Sequence, residues 1–174
     1  MSSTTAQSAF GFEQLISELL IALGFENVTS LGNSDWGVDM QASHIIKSSA
    51  GEKITQLWLV EVKYYVKSKI EAGTIVRLSD TLHFKEGDKA LLVTSSNLTS
   101  SAWAYVQKFN ASVERRLEIW DRDKLLTLLA GFPQLEVKYQ QIISGFPLSL
   151  STAKSEVSSS LIQRLLSCPP GIEG

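Results

Sequence analysis

A buried β-strand is predicted for Ile54–Tyr65, which reads ITQLWLVEVKYY and is rich in apolar, β-branched and aromatic residues without Gly or Pro. This strand nevertheless carries two opposite charges, Glu61 and Lys63. Side chains two residues apart on a strand point to the same face, so the carboxylate and the ammonium lie side by side. Charges inside an apolar strand are costly unless they are paired or bound to a metal. The sequence of this strand therefore indicates that Glu61 and Lys63 are functional residues.

A second carboxylate, Asp39, lies upstream, after a polar loop that contains glycine. The turn residues 48–53 (SSAGEK) separate two apolar segments and predict a β-hairpin over Val38–Lys47 and Ile54–Tyr65. Such a hairpin brings Asp39 beside the two charged residues of the second strand. Carboxylate oxygens are the ligands that Mg²⁺ prefers, and bound Mg²⁺ keeps waters that a phosphate can displace. The pattern predicts a divalent-metal site with a lysine next to it.

These residues resemble a known nuclease signature. The sequence GVD at 37–39, followed by VEVK at 60–63, is similar to the PD-(D/E)XK motif in the form found in Mrr-like restriction endonucleases. Val38 stands where that motif often has proline. The resemblance covers Phe10 to Leu129, and three further stretches agree with it: 12–16 with the first helix and its acidic Glu13, 23–28 with the turn after that helix, and 90–99 with the strand and loop after the site.

The resemblance implies a three-layer α/β/α restriction-endonuclease-like fold with a central mixed sheet, plus C-terminal helices. It implies a Mg²⁺-dependent deoxyribonuclease of the type II/IV restriction kind, in which Mn²⁺ can substitute. An ammonium beside two carboxylates should keep its charge, which favours an electrostatic role for the lysine over a role as base. The implied site residues are Asp39, Glu61 and the Val62 carbonyl as metal ligands, Lys63 at the attacking water or the phosphate, Glu13 as an extra acidic group, and Thr94 and Asn97 as contacts to the DNA strand that is cut.

Two acidic residues have a plainer interpretation as well. Glu13 lies at the edge of an apolar helical stripe, where a carboxylate can simply reach into solvent, and only the resemblance raises the catalytic interpretation to the same level. Asp35 can orient the residues of the site without binding the metal itself, or it can hydrogen-bond to the backbone of its own loop as Asp often does. The loop interpretation is favoured for Asp35.

The remaining pattern predicts one catalytic domain over residues 8–132, preceded by a disordered leader at 1–7 and followed by a helical, partly flexible extension at 133–174. The predicted strands after the hairpin lie at 89–94 and 117–120. The predicted helices are Ser8–Leu23, Lys69–Phe84 with Ser68 as N-cap, Ser101–Asn110, a helix capped by Asp121 and ending at Leu129, Leu135–Ile143, and Ser155–Leu166.

Bulk composition restricts the functional classes. Of the 174 residues, 44% are hydrophobic and 20% charged, as in globular proteins, and no membrane span or export signal is visible, so a cytoplasmic protein is expected. The single cysteine, Cys168, excludes an internal disulfide and a cysteine-based zinc site. The net charge of −2 argues against an extended surface for nonspecific DNA binding. It is still compatible with a local basic groove, because basic residues form two clusters along the chain. These are Lys63, Lys67, Lys69 and Arg77, and Arg115, Arg116, Arg122 and Lys124.

Three other interpretations stay open at this point. The chain can be a nuclease fold in which Glu61 and Lys63 form only a structural ion pair. It can be a non-catalytic DNA-binding module, although no helix-turn-helix or zinc finger is recognisable. It can also be a Holliday-junction-type resolvase, since cleavage of branched DNA occurs on the same fold. If the chain is a restriction enzyme, it is expected to act on DNA as a homodimer or with a partner that supplies sequence recognition.

Overall fold

The computed structural model describes residues 3–32, 37–112 and 116–147. Within these ranges no helix is both long and apolar enough to cross a membrane. The elements follow the chain in the order α1 (Ser3–Ala22), β1 (Glu26–Ser30), β2 (Met40–Lys47), β3 (Lys53–Lys63), α2 (Ala72–Phe84), β4 (Lys89–Thr94), α3 (Ser100–Ser112), β5 (Arg116–Trp120), α4 (Arg122–Leu129), α5 (Pro133–Lys138) and α6 (Gln140–Ile143).

The five strands form one mixed sheet in the order β1-β2-β3-β4-β5. Strands β1, β2 and β3 are antiparallel neighbours, whereas β3, β4 and β5 run parallel. The predicted hairpin is confirmed, with Met40 opposite Val60 at one end and Lys47 opposite Lys53 at the turn. The parallel half of the sheet brings the carboxyl ends of β3 and β4 together, because Lys63 pairs with Thr94. This end of the sheet lies next to the start of β2.

Helices cover both faces of the sheet, which confirms the three-layer arrangement. Helix α1 buries residues at helical spacing, and with α4 and α5 it packs on the face that carries Val60 and Val62. Helices α2 and α3 pack on the opposite face, which carries Leu59 and Leu92. Because side chains alternate along β3, Glu61 projects toward the α2 and α3 layer. The largest fully buried side chains of α1 are Phe12, Leu15, Ile16, Leu19 and Leu20.

The structure corrects three predicted local features. Helix α1 begins at Ser3, so residues 3–7, predicted to be a disordered leader, are helical; they contain no Gly or Pro that would stop the helix. The predicted Ser68 N-cap is wrong, because α2 starts after Glu71 and the Ser68 carbonyl instead accepts a hydrogen bond from the Ser96 hydroxyl. The single helix predicted at 135–143 is interrupted at Tyr139, which separates α5 from α6.

Helices α5 and α6 pack against α1. Leu135, Tyr139 and Phe146 are buried in the same hydrophobic core as the apolar face of α1. Lys138 Nζ lies 2.6 and 2.9 Å from the two oxygens of the Glu18 carboxylate, and the Tyr139 hydroxyl donates to the same group at 2.8 Å. Residues 133–147 therefore share the core of the nuclease-like domain, while the helix predicted at 155–166 and Cys168 lie outside the described residues.

The bonds at Glu18 lead to a pH-dependent stability prediction. The hydrogen bond from Lys138 holds the pKa of Glu18 below its ordinary value of 4.5. A carboxyl whose pKa is lowered by folding stabilises the protein above its unfolded pKa, and this contribution is lost as the pH falls through the folded value. We therefore expect Glu18→Gln to lower the melting temperature by a few degrees at most at pH 7, with a difference that vanishes at strongly acidic pH.

Thermal melting followed by circular dichroism between pH 2.5 and 7 measures this difference. The control is Glu52→Gln, which makes the same substitution at an exposed position near the hairpin turn. A Glu18→Gln difference that stayed constant over the whole pH range would show that the carboxylate charge does not contribute.

Candidate active site

The start of β2 and the end of β3 bring Asp39 and Glu61 together. Met40 pairs with Val60, so Asp39, one residue before Met40, lies next to Glu61 and Val62 in the antiparallel register. The Asp39 N–H donates to the Val60 carbonyl at 2.9 Å, which extends the pairing beyond the strand. The Val62 N–H in turn donates to Asp39 Oδ2 at 2.6 Å, and a short bond to a charged acceptor orients the carboxylate firmly.

Glu61 is a buried carboxylate with two cationic partners. The residue is 0% exposed, and its Oε1 lies 3.0 Å from Lys63 Nζ and also accepts a hydrogen bond from Arg77 Nη2. Burial raises the pKa of Glu61, and the charges of Lys63 and Arg77 counteract this effect without cancelling it. The desolvation of this carboxylate is therefore only partly offset by its neighbours.

The second oxygen of this carboxylate, Oε2, is buried and has no hydrogen-bond partner among the described residues. A buried oxygen without a partner is rare, and it requires an explanation such as an ion that binds there. No group of three or more His, Cys, Asp or Glu side chains suited to a metal occurs in the described part of the chain. Asp39 and Glu61 each contribute carboxylate oxygens, which are the donor type that hard divalent cations prefer.

Glu13 reaches the border of this site from α1. Its side chain is half-buried, and burial together with the negative charge of Asp39 raises its pKa, while the positive charge of Lys63 acts in the opposite direction. Both interactions require that Glu13 lies within electrostatic range of the predicted site residues. The sequence prediction of an acidic group that faces the site remains a prediction, because these interactions do not assign it a role.

The loop after β4 is bonded to the segment after β3. The Ser95 hydroxyl accepts from the Tyr65 N–H at 2.7 Å and donates to the Tyr65 carbonyl at 2.9 Å. Thr94 is 0% exposed, and its hydroxyl accepts a hydrogen bond from the Ser96 N–H at 3.1 Å, so this geometry assigns it a structural role and gives no support to a DNA contact. Asn97 is half-buried, and its Oδ1 has no hydrogen-bond partner within the described ranges. Its predicted contact with DNA stays open.

Arg77 is the residue at this site that sequence reasoning did not single out. In the sequence it is one of several basic residues after the core strand. Its position on α2, between the buried residues Ile75 and Leu78, is only a weak indication that its side chain reaches the sheet. Packing of α2 on the sheet brings its guanidinium to Glu61. Asp35, the other acidic residue of the loop before Asp39, lies outside the described residues.

Comparison with solved structures supports the fold. The DNA modification-dependent restriction endonuclease AspBHI matches with a TM-score of 0.58 and 21% identity, over 78% of this chain and 35% of that one. The MspJI restriction endonuclease, solved in complex with a 27-mer oligonucleotide, matches with a TM-score of 0.54 and 16% identity, over 80% of this chain and 32% of that one. The chain thus spans about a third of the length of each. No curated protein matches it.

A family model described as restriction endonuclease, Mrr_cat, matches residues 5–129. This match extends from α1 through α4 and includes both halves of the candidate site. The match confirms the resemblance drawn from the motifs at 37–39 and 60–63. The chain belongs to the Mrr_cat family of restriction endonucleases.

Proposed function

We propose that this chain is a metal-dependent DNA endonuclease domain that hydrolyses phosphodiester bonds in defence against foreign DNA. The observation that carries the proposal is the buried Glu61 carboxylate, which has one oxygen held by cations and the other without a partner, next to Asp39. An unpartnered buried oxygen is a position where an ordered water or a cation can bind, and the neighbouring carboxylate of Asp39 favours a cation. Membership of the restriction endonuclease family supports the same chemistry.

The proposed metal ligands are Asp39, Glu61 and the carbonyl of Val62, with Mg²⁺ as the physiological ion and Mn²⁺ as a substitute. When bound, the ion lowers the energy of the negative charge that develops on the phosphate oxygens and on the leaving oxygen. The hydrogen bond from the Val62 N–H at 2.6 Å holds Asp39 in orientation. Burial of Glu61 keeps water away from its oxygens, which strengthens their electrostatic interaction with a cation.

The proposed reaction is attack of a water oxygen on phosphorus. A new P–O bond forms, the bridging P–O bond breaks, and the proton lost by the water is balanced by one that the leaving oxygen takes up. Lys63 lies at 3.0 Å from Glu61 and is about 25% exposed, so its ammonium can reach from the carboxylate toward a bound phosphate. We propose that the Lys63 ammonium positions the attacking water or stabilises the negative charge of the five-coordinate phosphate. We propose that Glu13 lies at the border of the region where this water binds.

The solved relatives indicate where specificity could come from. AspBHI is described as dependent on DNA modification, so modified DNA is a candidate substrate class for this chain. Since the chain spans about a third of such enzymes, we propose that sequence or modification recognition comes from a partner or from protein outside residues 3–147. A homodimer would place two sites on the two DNA strands, and the cytoplasm is the proposed place of action.

The test is cleavage of supercoiled and linear DNA, methylated and unmethylated, with Mg²⁺, with Mn²⁺ and with EDTA. We expect cutting that depends on the metal and that disappears in a double variant, Asp39→Ala with Lys63→Ala. Cutting that persists in the double variant would come from a contaminant or another site. If no substrate is cut but calorimetry detects a Mg²⁺ ion that the double variant does not bind, a partner is required; without cutting or metal binding the proposal is wrong.

A further inference from the structure

Arg77 combines a buried contact with an exposed side chain. It lies on α2, and its Nη2 donates to Glu61 Oε1, an atom of a side chain that is only 1% exposed. The Arg77 side chain itself is 52% exposed. Burying both charges would add the cost of desolvating the guanidinium, whereas here only the carboxylate is fully buried. About half of the Arg77 side chain instead faces the solvent beside this carboxylate.

The guanidinium of Arg77 also lies close to Gly37. This glycine has a φ of +69°, and a Cβ at its position would lie 2.9 Å from Arg77 Nε and 3.2 Å from Cζ. The backbone that leads into Asp39 therefore passes close to the guanidinium, in a left-handed conformation that favours glycine. These two contacts, with Gly37 and with Glu61, restrict the orientation of the Arg77 guanidinium.

Charge neutralisation alone does not explain this arrangement. Lys63 already supplies a cation to Glu61 at 3.0 Å, so Arg77 is the second cation on the same oxygen. A guanidinium has five N–H donors, and the described contacts of Arg77 use one nitrogen for Glu61. The remaining donors belong to a rigid, planar group, which is the geometry that matches a phosphate.

We propose that Arg77 contacts a backbone phosphate of DNA at this site, with Glu61 and Gly37 holding its guanidinium in place. The inference rests on the proposed function, because it requires DNA to bind beside Asp39 and Glu61. A phosphate contact is independent of base sequence, so Arg77 contributes affinity and register rather than specificity.

The test measures DNA affinity as a function of salt in a Lys63→Ala background with Mg²⁺, so that the DNA is not cut during the measurement. Fluorescence anisotropy with a labelled duplex gives the dissociation constant between 50 and 300 mM salt. Loss of one phosphate contact reduces the slope of log K against log salt by about 0.9, so we expect Arg77→Gln to reduce it by that amount and to weaken binding about tenfold at low salt. Arg77→Lys keeps the charge and should restore the slope.

Lys53→Gln is the matched control, because it also removes one positive charge and Lys53 is exposed at the hairpin turn, at the opposite end of β3 from Glu61. Its slope should equal that of the background, and thermal melting shows whether each variant is folded. If the slope for Arg77→Gln equals that for Lys53→Gln, Arg77 is only a counter-ion of Glu61 and the inference is wrong, while the proposed endonuclease is unaffected. If the background protein binds no DNA at all, the inference is contradicted, whereas the proposed function is decided separately by the cleavage and Mg²⁺-binding measurements given above.

Discussion

Lys63→Ala is expected to slow DNA cleavage about 10³-fold while Mg²⁺ binding is not weakened. The Lys63 ammonium lies 3.0 Å from Glu61 Oε1, so it is next to the proposed metal site but is not a ligand. Its removal takes away a positive charge that repels the metal, and it also takes away the charge that would act on the phosphate. Single-turnover cleavage measures the loss of the charge at the phosphate, and isothermal calorimetry with Mg²⁺ measures the effect on metal binding.

Lys67→Ala is the control for general attraction of DNA. Lys67 is exposed in the segment that follows β3, so the same charge is removed four residues away. We expect its cleavage rate to change only a few-fold, and saturating DNA should restore it. If Lys67→Ala and Lys63→Ala had equal effects, or if Lys63→Ala lost metal binding together with cleavage, the specific role of Lys63 would be wrong.

Glu61→Gln is expected to abolish cleavage, to weaken Mg²⁺ binding at least about 100-fold, and yet to make the metal-free protein more stable. Burial raises the pKa of Glu61 in spite of its two cationic partners, so ionising this carboxyl costs free energy in the folded protein. Both cations are partly exposed, at 25% and 52%, and can turn to water when the carboxylate is gone. The expected gain is about 1–2 kcal/mol in the free energy of unfolding near pH 8 without metal.

Glu118→Gln makes the same substitution on β5, on a half-buried strand position of the same sheet. It should change neither metal binding nor, beyond about 0.5 kcal/mol, the free energy of unfolding. Urea denaturation in EDTA and calorimetry with Mg²⁺ provide the two readouts. A Glu61→Gln protein that is less stable than the wild type would show that Glu61 is held for structural reasons, and this would remove the main support for the metal site.

The sequence by itself determined the central hairpin and the pairing of the acidic residues. Val, Ile, Leu and aromatic residues with a turn signal between two segments define the hairpin, and hairpin register alone brings Asp39 beside Glu61. The strand at Lys89–Thr94 and the Asp121 cap of α4 were also predicted correctly, because a compact apolar run and an N-capping carboxylate are local signals. The family motif added the three-layer arrangement, since order along the chain does not reveal which helix covers which face.

Only the tertiary structure decided the surroundings of Glu61. Contact of Arg77 with Glu61 and with Gly37 joins three elements that are far apart in sequence, and it depends on how α2 lies across the sheet. The burial of Thr94 and the break at Tyr139 likewise follow from packing, which overrides polar character and helical pattern alike. Local patterns specify the period and direction of side chains, whereas the distance between side chains on different elements is set by the packing of the whole core.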